Sequence, residues 1–436
     1  MKKTLLIGLL LSLIGSVQAQ DTLLISQAEV IEKVLSNNYQ GKIADKQAAM
    51  AKADFDQSKS LYLPSISASY TAMTTNNPMM AFGSKLNQEI LTMQDFNPAL
   101  LNDPENVQNY ATELTIMQPL INMDGVYGRK AAKIQKEAYE LKAERTKEYL
   151  ELEATKLYMQ LQLAYEATNV LLKAKETADR AVKTVTDHYD QGLAQKADVL
   201  DAQVQATEVQ NQLAYSKTNM QNLSDQLNAW MGSTDATIIL KPESGAPTSY
   251  EELSFGNELP SGRSDILAMS KSVEGYESMF KSSKMKFLPR ANAFGSIQIY
   301  DNDPLGFNAS GYILGAKLSW DLFNGYTDIS KKTKAKLEME KAKIEKEQYE
   351  TTQQIELSKA NRMLANAKNK VELSRRGLEQ ATEANKIRTD RYHQGLEKTV
   401  DMLNSSTQLY QKELELQQAI FEYNFTKEYL HFLTRA

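Results

Sequence analysis

Hydrophobic and polar positions alternate one by one in four short stretches of this chain, and recur every three or four residues in much longer ones. The clearest alternation puts Tyr312, Leu314, Ala316, Leu318, Trp320 and Leu322 on one side and Lys317, Ser319 and Asp321 on the other. From Ser65 to Thr74, Ile66, Ala68, Tyr70 and Ala72 oppose Ser65, Ser67, Ser69 and Thr71. Arg290 to Tyr300 and, more weakly, Tyr110 to Leu120 repeat the pattern. A period of two predicts strands with one apolar face, at about 64–78, 108–122, 289–303 and 309–323.

The longer stretches have a helical period. Between Gly128 and Gly232 there is no proline and one glycine, Gly192. Beyond Gly325 there is again no proline, and the only glycines are Gly377 and Gly395. Leu150, Ala154, Leu157, Leu161, Ala164, Thr168 and Leu171 step by fours and threes. Val199 to Trp230 and Ala360 to Ala381 keep the same rhythm, which is that of coiled-coil packing. Gly192 and Gly395 stand where the chain must reverse, giving helical hairpins over 125–231 and 325–433. One arm, from Gly125 to Tyr189, would reach on the order of 100 Å. The last helix carries two apolar stripes, one through Met402, Leu409 and Leu416, the other through Leu403, Tyr410 and Leu414. Two stripes suit a helix packed on both flanks.

These elements occur twice in the same order. Tyr189-x-x-Gly192-Leu193 returns as Tyr392-x-x-Gly395-Leu396, and Ala197-Asp198-Val199-Leu200 as Val400-Asp401-Met402-Leu403, both offset by 203 (392 − 189). Leu120-Ile121-Asn122 matches Leu322-Phe323-Asn324, and Tyr62-Leu63-Pro64 matches Phe287-Leu288-Pro289. Each repeat therefore reads as a helix, a Leu-Pro break, two strands and a helical hairpin. The first repeat covers 20–232 and the second 262–436. A proline-containing connector, 233–261, lies between them, with a short strand expected at Thr237 to Leu240. The insertion from Thr75 to Asn106 reads as an irregular surface loop.

Composition narrows the function classes. The chain has 436 residues, 42% hydrophobic and 24% charged, with a net charge of −5, so it offers no basic footprint for nucleic acid. It has no cysteine, which excludes disulfides, thiolate metal sites and acylation of an N-terminal cysteine. Lys2 and Lys3, the apolar run Leu5 to Ile14 and Val17-Gln18-Ala19 read as a signal peptide over 1–19. No other stretch is long and apolar enough for a spanning helix, so membrane insertion would require strands. The three histidines, His188, His393 and His431, lie at no metal-ligand spacing, and no phosphate loop or nucleophile elbow is present. No enzyme chemistry, metal or cofactor is expected.

Four amphipathic strands cannot close a transmembrane barrel, which needs at least about eight. Their edges must be paired by other copies, and three copies would supply twelve strands. The helices would then leave the membrane on one side.

The order of these motifs, with Leu322-Phe323-Asn324-Gly325 at a strand end, Tyr-x-x-Gly at both turns and Arg263-Ser264-Asp265-Ile266 opening the second repeat, resembles the TolC family of outer-membrane efflux proteins. That resemblance implies a mainly helical fold with a membrane β-barrel. It implies a homotrimer forming a 12-stranded barrel in outer-membrane lipid and a periplasmic α-helical tunnel. The implied partners are a periplasmic adaptor (membrane fusion) protein and an inner-membrane pump or ABC exporter. The implied role is the exit duct of a tripartite efflux pump or type I secretion system.

The candidate site lies at the hairpin turns. By resemblance, acidic residues of the second hairpin ring the periplasmic aperture. Asp401 matches the first such position, whereas Asn404 stands where the family pattern has a second acid. Asp401 would otherwise simply face solvent near a helix start, where a carboxylate suits the helix dipole. Tyr392 and Asp198 match residues that latch the two hairpins in the closed state. The family arginine two residues after the turn glycine is Glu397 here, with Lys398, Arg391 and Lys196 as the cations that could compensate. His188 and His393 are surface turn residues or part of a pH-sensitive gate. A periplasmic coiled-coil adaptor or scaffold would explain the helices but not the strands. A hydrolase or binding protein would need a constellation that is absent from the sequence.

Overall fold

The computed structural model describes residues 22–233, 238–249, 251 and 255–435; the signal peptide at 1–19 lies outside them, as does Thr237 of the connector strand. Two compact units divide the chain: Gln47–Leu141 with Ile266–Gln348, and the remainder. Each unit takes elements from both sequence repeats.

The first unit holds a four-stranded antiparallel sheet. Its strands are β2 (Ser65–Thr75), β3 (Val107–Ile121), β5 (Arg290–Asp301) and β6 (Ala309–Ser319), in the order β2-β3-β5-β6. The register explains why alternation was visible in every strand. Ile66, Ile116, Gly295 and Leu314 form one cross-strand row, and Ala68, Leu114, Ile297 and Tyr312 the next. These rows build one apolar face. The opposite face carries Ser67, Thr115, Ser296 and Ile313 and, one row along, Ser69, Glu113, Gln298 and Gly311. Gln298 Nε2 donates to Glu113 Oε1 at 3.0 Å across that face. A one-residue slip would exchange the two faces, so register and patterning enforce each other. Among the described residues, both outer strands, β2 and β6, have a free edge.

The segment between β2 and β3 is not the irregular loop expected from its prolines. It contains helices Pro78–Asn87 and Pro98–Asn102 with a 3-10 turn, Met93–Phe96, between them. Asn77 and Asn97 cap the two helices, and each proline occupies the first turn, where its missing N–H costs nothing. Gln88, buried behind the first helix, donates to Gln108 O, Asn109 Oδ1 and Asp301 O, tying the segment to the ends of β3 and β5.

The second unit is helical, with one small sheet that the sequence pattern half reveals. Strand β1 (Thr22–Ile25) pairs in parallel with β4 (Ile239–Pro242). Helix α1 (Gln27–Asn37) starts with a capping box between Ser26 and Glu29. The helical stretch before the first Leu-Pro break is not one helix: it is interrupted at Asn38, which adopts an extended conformation and donates to Trp230 O, before α2 (Tyr39–Gln57) begins. The long helices α5 (Met123–Asp190), which belongs to this unit beyond Leu141, and α6 (Lys196–Trp230) form the first hairpin. Helices α8 (Thr327–His393), which belongs to it beyond Gln348, and α9 (Thr399–Thr434) form the second. All seven heptad-spaced positions from Leu150 to Leu171 are buried. Alanines at Ala154, Ala164, Ala202, Ala360 and Ala367 lie on these seams and let the helix backbones approach closely. The largest cluster gathers Ile25, Val34, Leu157, Leu161, Leu227 and Leu240. Each leucine buried there contributes about 1.5–3 kcal/mol of transfer free energy. Among the described residues no helix is long and apolar enough to cross a membrane.

Candidate functional site

The two hairpin turns are built alike. Gly192 has φ +75° and Gly395 has φ +73°, a region that costs residues with a Cβ about 1 kcal/mol or more. The Gly192 N–H donates to Tyr189 O and the Leu193 N–H to His188 O; the Gly395 N–H donates to Tyr392 O and the Leu396 N–H to Arg391 O. These bonds satisfy the last carbonyls of α5 and α8. Leu193 and Leu396, the residues after the glycines, are both exposed.

Behind the turns the two hairpins share one small core. Tyr392 is buried among Ala181 and Val185 of α5, Val199 and Ala202 of α6, and Met402 and Leu403 of α9. Its ring centroid lies 6.2 Å from that of His188 and 5.9 Å from that of His393. The Tyr392 hydroxyl is buried without a hydrogen-bond partner. Asp198 lies in the first turn of α6, where its Oδ2 accepts from Gln195 N at 2.9 Å and caps the helix. The structure thus seats Tyr392 at the seam of the hairpins but gives it no hydrogen bond to Asp198. A second cross-hairpin contact runs from Gln205 Nε2 to Thr407 Oγ1.

Asp401 lies half-buried in the first turn of α9, and Asn404 one turn on is exposed. The start of α9 has no side-chain cap from Lys398. Glu397, in place of the family arginine, is held within its own hairpin: Arg391 Nε donates to it at 2.9 Å and Arg388 Nη1 at 3.3 Å. Of the three candidate cations, Arg391 therefore pairs with Glu397 itself. Lys196 sits 5.5 Å over the ring of Tyr189.

Sequence reasoning did not foresee a charged network at the other end of α9. Arg263 is fully buried. It makes a two-pronged pair with Asp265, Nε to Oδ1 at 3.1 Å and Nη2 to Oδ2 at 2.6 Å. It also donates to Gln353 Oε1 and to Leu433 O. Arg145 donates to Glu148 and to Phe432 O and stacks 3.6 Å over the Phe432 ring. Two arginines thus satisfy the C-terminal carbonyls of α9, groups that a helix cannot satisfy internally. Burial raises the Asp265 carboxyl pKa, but hydrogen bonds from Arg263 and Tyr349 and the charge of Arg145 outweigh it, holding it below the usual carboxylate value. Burial, then the bond to Asp265, pushes the Tyr349 hydroxyl up to about 12. The signal available beforehand was the Arg263-Ser264-Asp265 spacing, which marked a motif without showing that it is buried.

Comparison with known proteins gives a family and a fold. The sequence matches the model of the family described as outer membrane efflux protein over residues 30–233 and 257–427. Comparison with curated protein sequences finds no match. Among solved structures, the fold is similar to the CmeC outer membrane channel of Campylobacter jejuni, with TM-score 0.80 and 16% identity, covering 93% of this chain and 85% of that one. It is also similar to the outer membrane protein VceC of Vibrio cholerae, with TM-score 0.73 and 16% identity over 93% and 95% of the two chains. The open state of the Neisseria gonorrhoeae MtrE outer membrane channel matches with TM-score 0.75 and 13% identity, over 93% and 88%.

Proposed function

Since this chain belongs to the outer membrane efflux protein family, whose members are channels of the outer membrane, we propose that it is the trimeric exit duct of a tripartite efflux pump or type I secretion system, opened by a periplasmic adaptor. The observation that carries this reading is the four-stranded sheet with a continuous apolar face and two free edges. Joined edge to edge, β6 of one copy to β2 of the next, three copies supply twelve strands and leave no unpaired backbone in lipid. The apolar rows then face acyl chains, and the Ser, Thr, Gln and Glu rows face a watery lumen. The duct itself performs no chemistry and needs no cofactor, metal or nucleic acid; an inner-membrane pump or ABC exporter supplies the energy.

In this reading the hairpin tips are the gate. Three copies of Asp401 around the axis favour cations, and the single acid, with Asn404 beside it, makes the ring weaker than a double one. The unpaired Tyr392 hydroxyl supports a latch role, because a buried donor gains by finding Asp198 when the assembled mouth closes. The exposed Leu193 and Leu396 offer an adaptor an apolar pair of tips. A periplasmic scaffold would leave the apolar sheet face without an occupant.

The assembly test is native mass spectrometry of the protein extracted from outer membranes in mild detergent. A stable trimer is expected. A monodisperse monomer would overturn the duct.

A further inference from the structure

The two ends of the sheet carry opposite charge. The segments joining β2 to β3 and β5 to β6 contain Glu89, Asp95, Asp103, Glu105 and Asp303, and their only cation is Lys85, which is paired with Asp95. At the helix-bearing end the balance reverses. The chain approaching β5 carries Lys281, Lys284 and Lys286, and the start of α8 carries Lys331, Lys332, Lys334 and Lys336. The start of α5 adds Arg129, Lys130 and Lys133. Of the acids nearby, Asp124 is engaged with Arg290, Asp56 with Lys59 and Asp328 with Asn324, while the exposed Asp321 beside Trp320 is one carboxylate set against this cluster of lysines. Among the described residues, Lys284, Lys286, Lys331 and Lys332 have no carboxylate partner.

These lysines stand beside an exposed aromatic belt. Trp320, just beyond β6, donates its indole N–H to Phe287 O at 3.0 Å while the residue remains 59% exposed. Lys332 Nζ lies 5.6 Å from the Phe287 ring, and Lys284 Nζ 4.3 Å from that of Phe280. Leu288, Leu322 and Phe323 around them are exposed as well. An apolar band, then aromatic rings, then lysines on long stems is the order in which a bilayer changes from acyl chain to carbonyl to phosphate.

We propose that this collar binds the phosphates of anionic phospholipid, with phosphatidylglycerol chemistry, in the leaflet on the helix side of the barrel. Trp320 and Phe287 lie at the carbonyl level, and Lys284, Lys331 and Lys332 reach the phosphates. The acidic far end repels the same headgroups, so the asymmetry also sets the depth and direction of insertion. The proposal rests on the barrel reading above.

Trp320 is its own reporter. The full-length trimer is placed in phosphatidylcholine vesicles containing a fixed fraction of either phosphatidylglycerol or phosphatidylcholine brominated near the carbonyl end of the acyl chain. Quenching is then compared, with Trp320→Phe identifying the signal that belongs to the collar. Brominated phosphatidylglycerol should quench several-fold more effectively at low salt. Each lysine near an anionic surface is worth about a fivefold preference, so Lys284→Gln/Lys331→Gln/Lys332→Gln should remove most of it, and high salt should do the same to the unaltered protein. Equal quenching by the two lipids at low salt overturns the proposal, as does a preference that survives in the triple variant. Failure to form trimers in detergent would count against the barrel reading instead, and is read separately before reconstitution.

Discussion

The two ends of helix α9 are held in opposite ways. At the C-terminal end its last carbonyls accept from Arg263 and Arg145, which are themselves fixed by Asp265, Glu148 and Gln353. At the N-terminal end there is no side-chain cap from Lys398, the core behind the turn is largely small residues such as Ala181, Val185 and Ala202, and a buried hydroxyl lacks a partner. A buried, fully bonded charge network has one low-energy arrangement, because displacing any member strands a charge. A thin apolar seam with an unpaired donor has little to lose by opening. A helix anchored firmly at one end and lightly at the other is suited to moving at the light end, which is where the gate is proposed.

The largest effect should come from removing the firm anchor. Arg263→Met leaves Asp265 without its two-pronged partner and should cost about 3–5 kcal/mol. It should appear as a lower melting temperature in detergent and earlier proteolysis near the C-terminus. The same anchor is sensitive to acid. The Asp265 pKa is lowered in the fold, so its contribution is complete above the unfolded-state value near 4 and is lost as pH falls through the lower folded value. Thermal stability should therefore fall below about pH 4, and this part of the fall should be smaller in Arg263→Met, where Tyr349 and Arg145 alone remain on the carboxylate. An unchanged melting temperature in the variant would erase the contrast between the two ends.

A smaller effect is expected at the light end. Tyr392→Phe with Asp198→Ala should raise the open fraction of channels in planar bilayers, with a fall in melting temperature well below that of Arg263→Met because only the Asp198 cap of α6 is lost. One hydrogen bond contributes about 0.5–1.5 kcal/mol, multiplied over three symmetric copies. A drop in open fraction for Tyr392→Phe alone would mean that the hydroxyl stays unpaired in the assembled mouth and that phenylalanine relieves its burial. The smallest effect should follow Asp401→Asn, which keeps the shape and removes the charge. Cation selectivity should decrease at low salt, where screening is weakest, with the trimer intact. Identical reversal potentials for variant and parent would remove the ring.

The sequence by itself determined the strands, the hairpins and their duplication, because each is written in local periodicity. Side chains alternate across a strand with period two, a helix repeats every 3.6 residues, and glycine alone turns cheaply through positive φ at Gly192 and Gly395. It also determined which side chains of each strand share the apolar face, whereas the register that aligns Ile66, Ile116, Gly295 and Leu314 was set by pairing between distant strands. What only the tertiary structure decided depends on residues far apart in the chain. The β1–β4 pairing joins Thr22 to Ile239. The order of the β2–β3 segment hangs on Gln88 reaching Asp301, and the burial of Arg263 requires carbonyls at Leu433. No window along the chain contains both partners of any of these contacts, so their energies leave no periodic trace. Even the short-range pairing of Glu397 with Arg391 and Arg388 was not legible beforehand, because it depends on the curl of the turn around Gly395 that brings both arginines to one carboxylate.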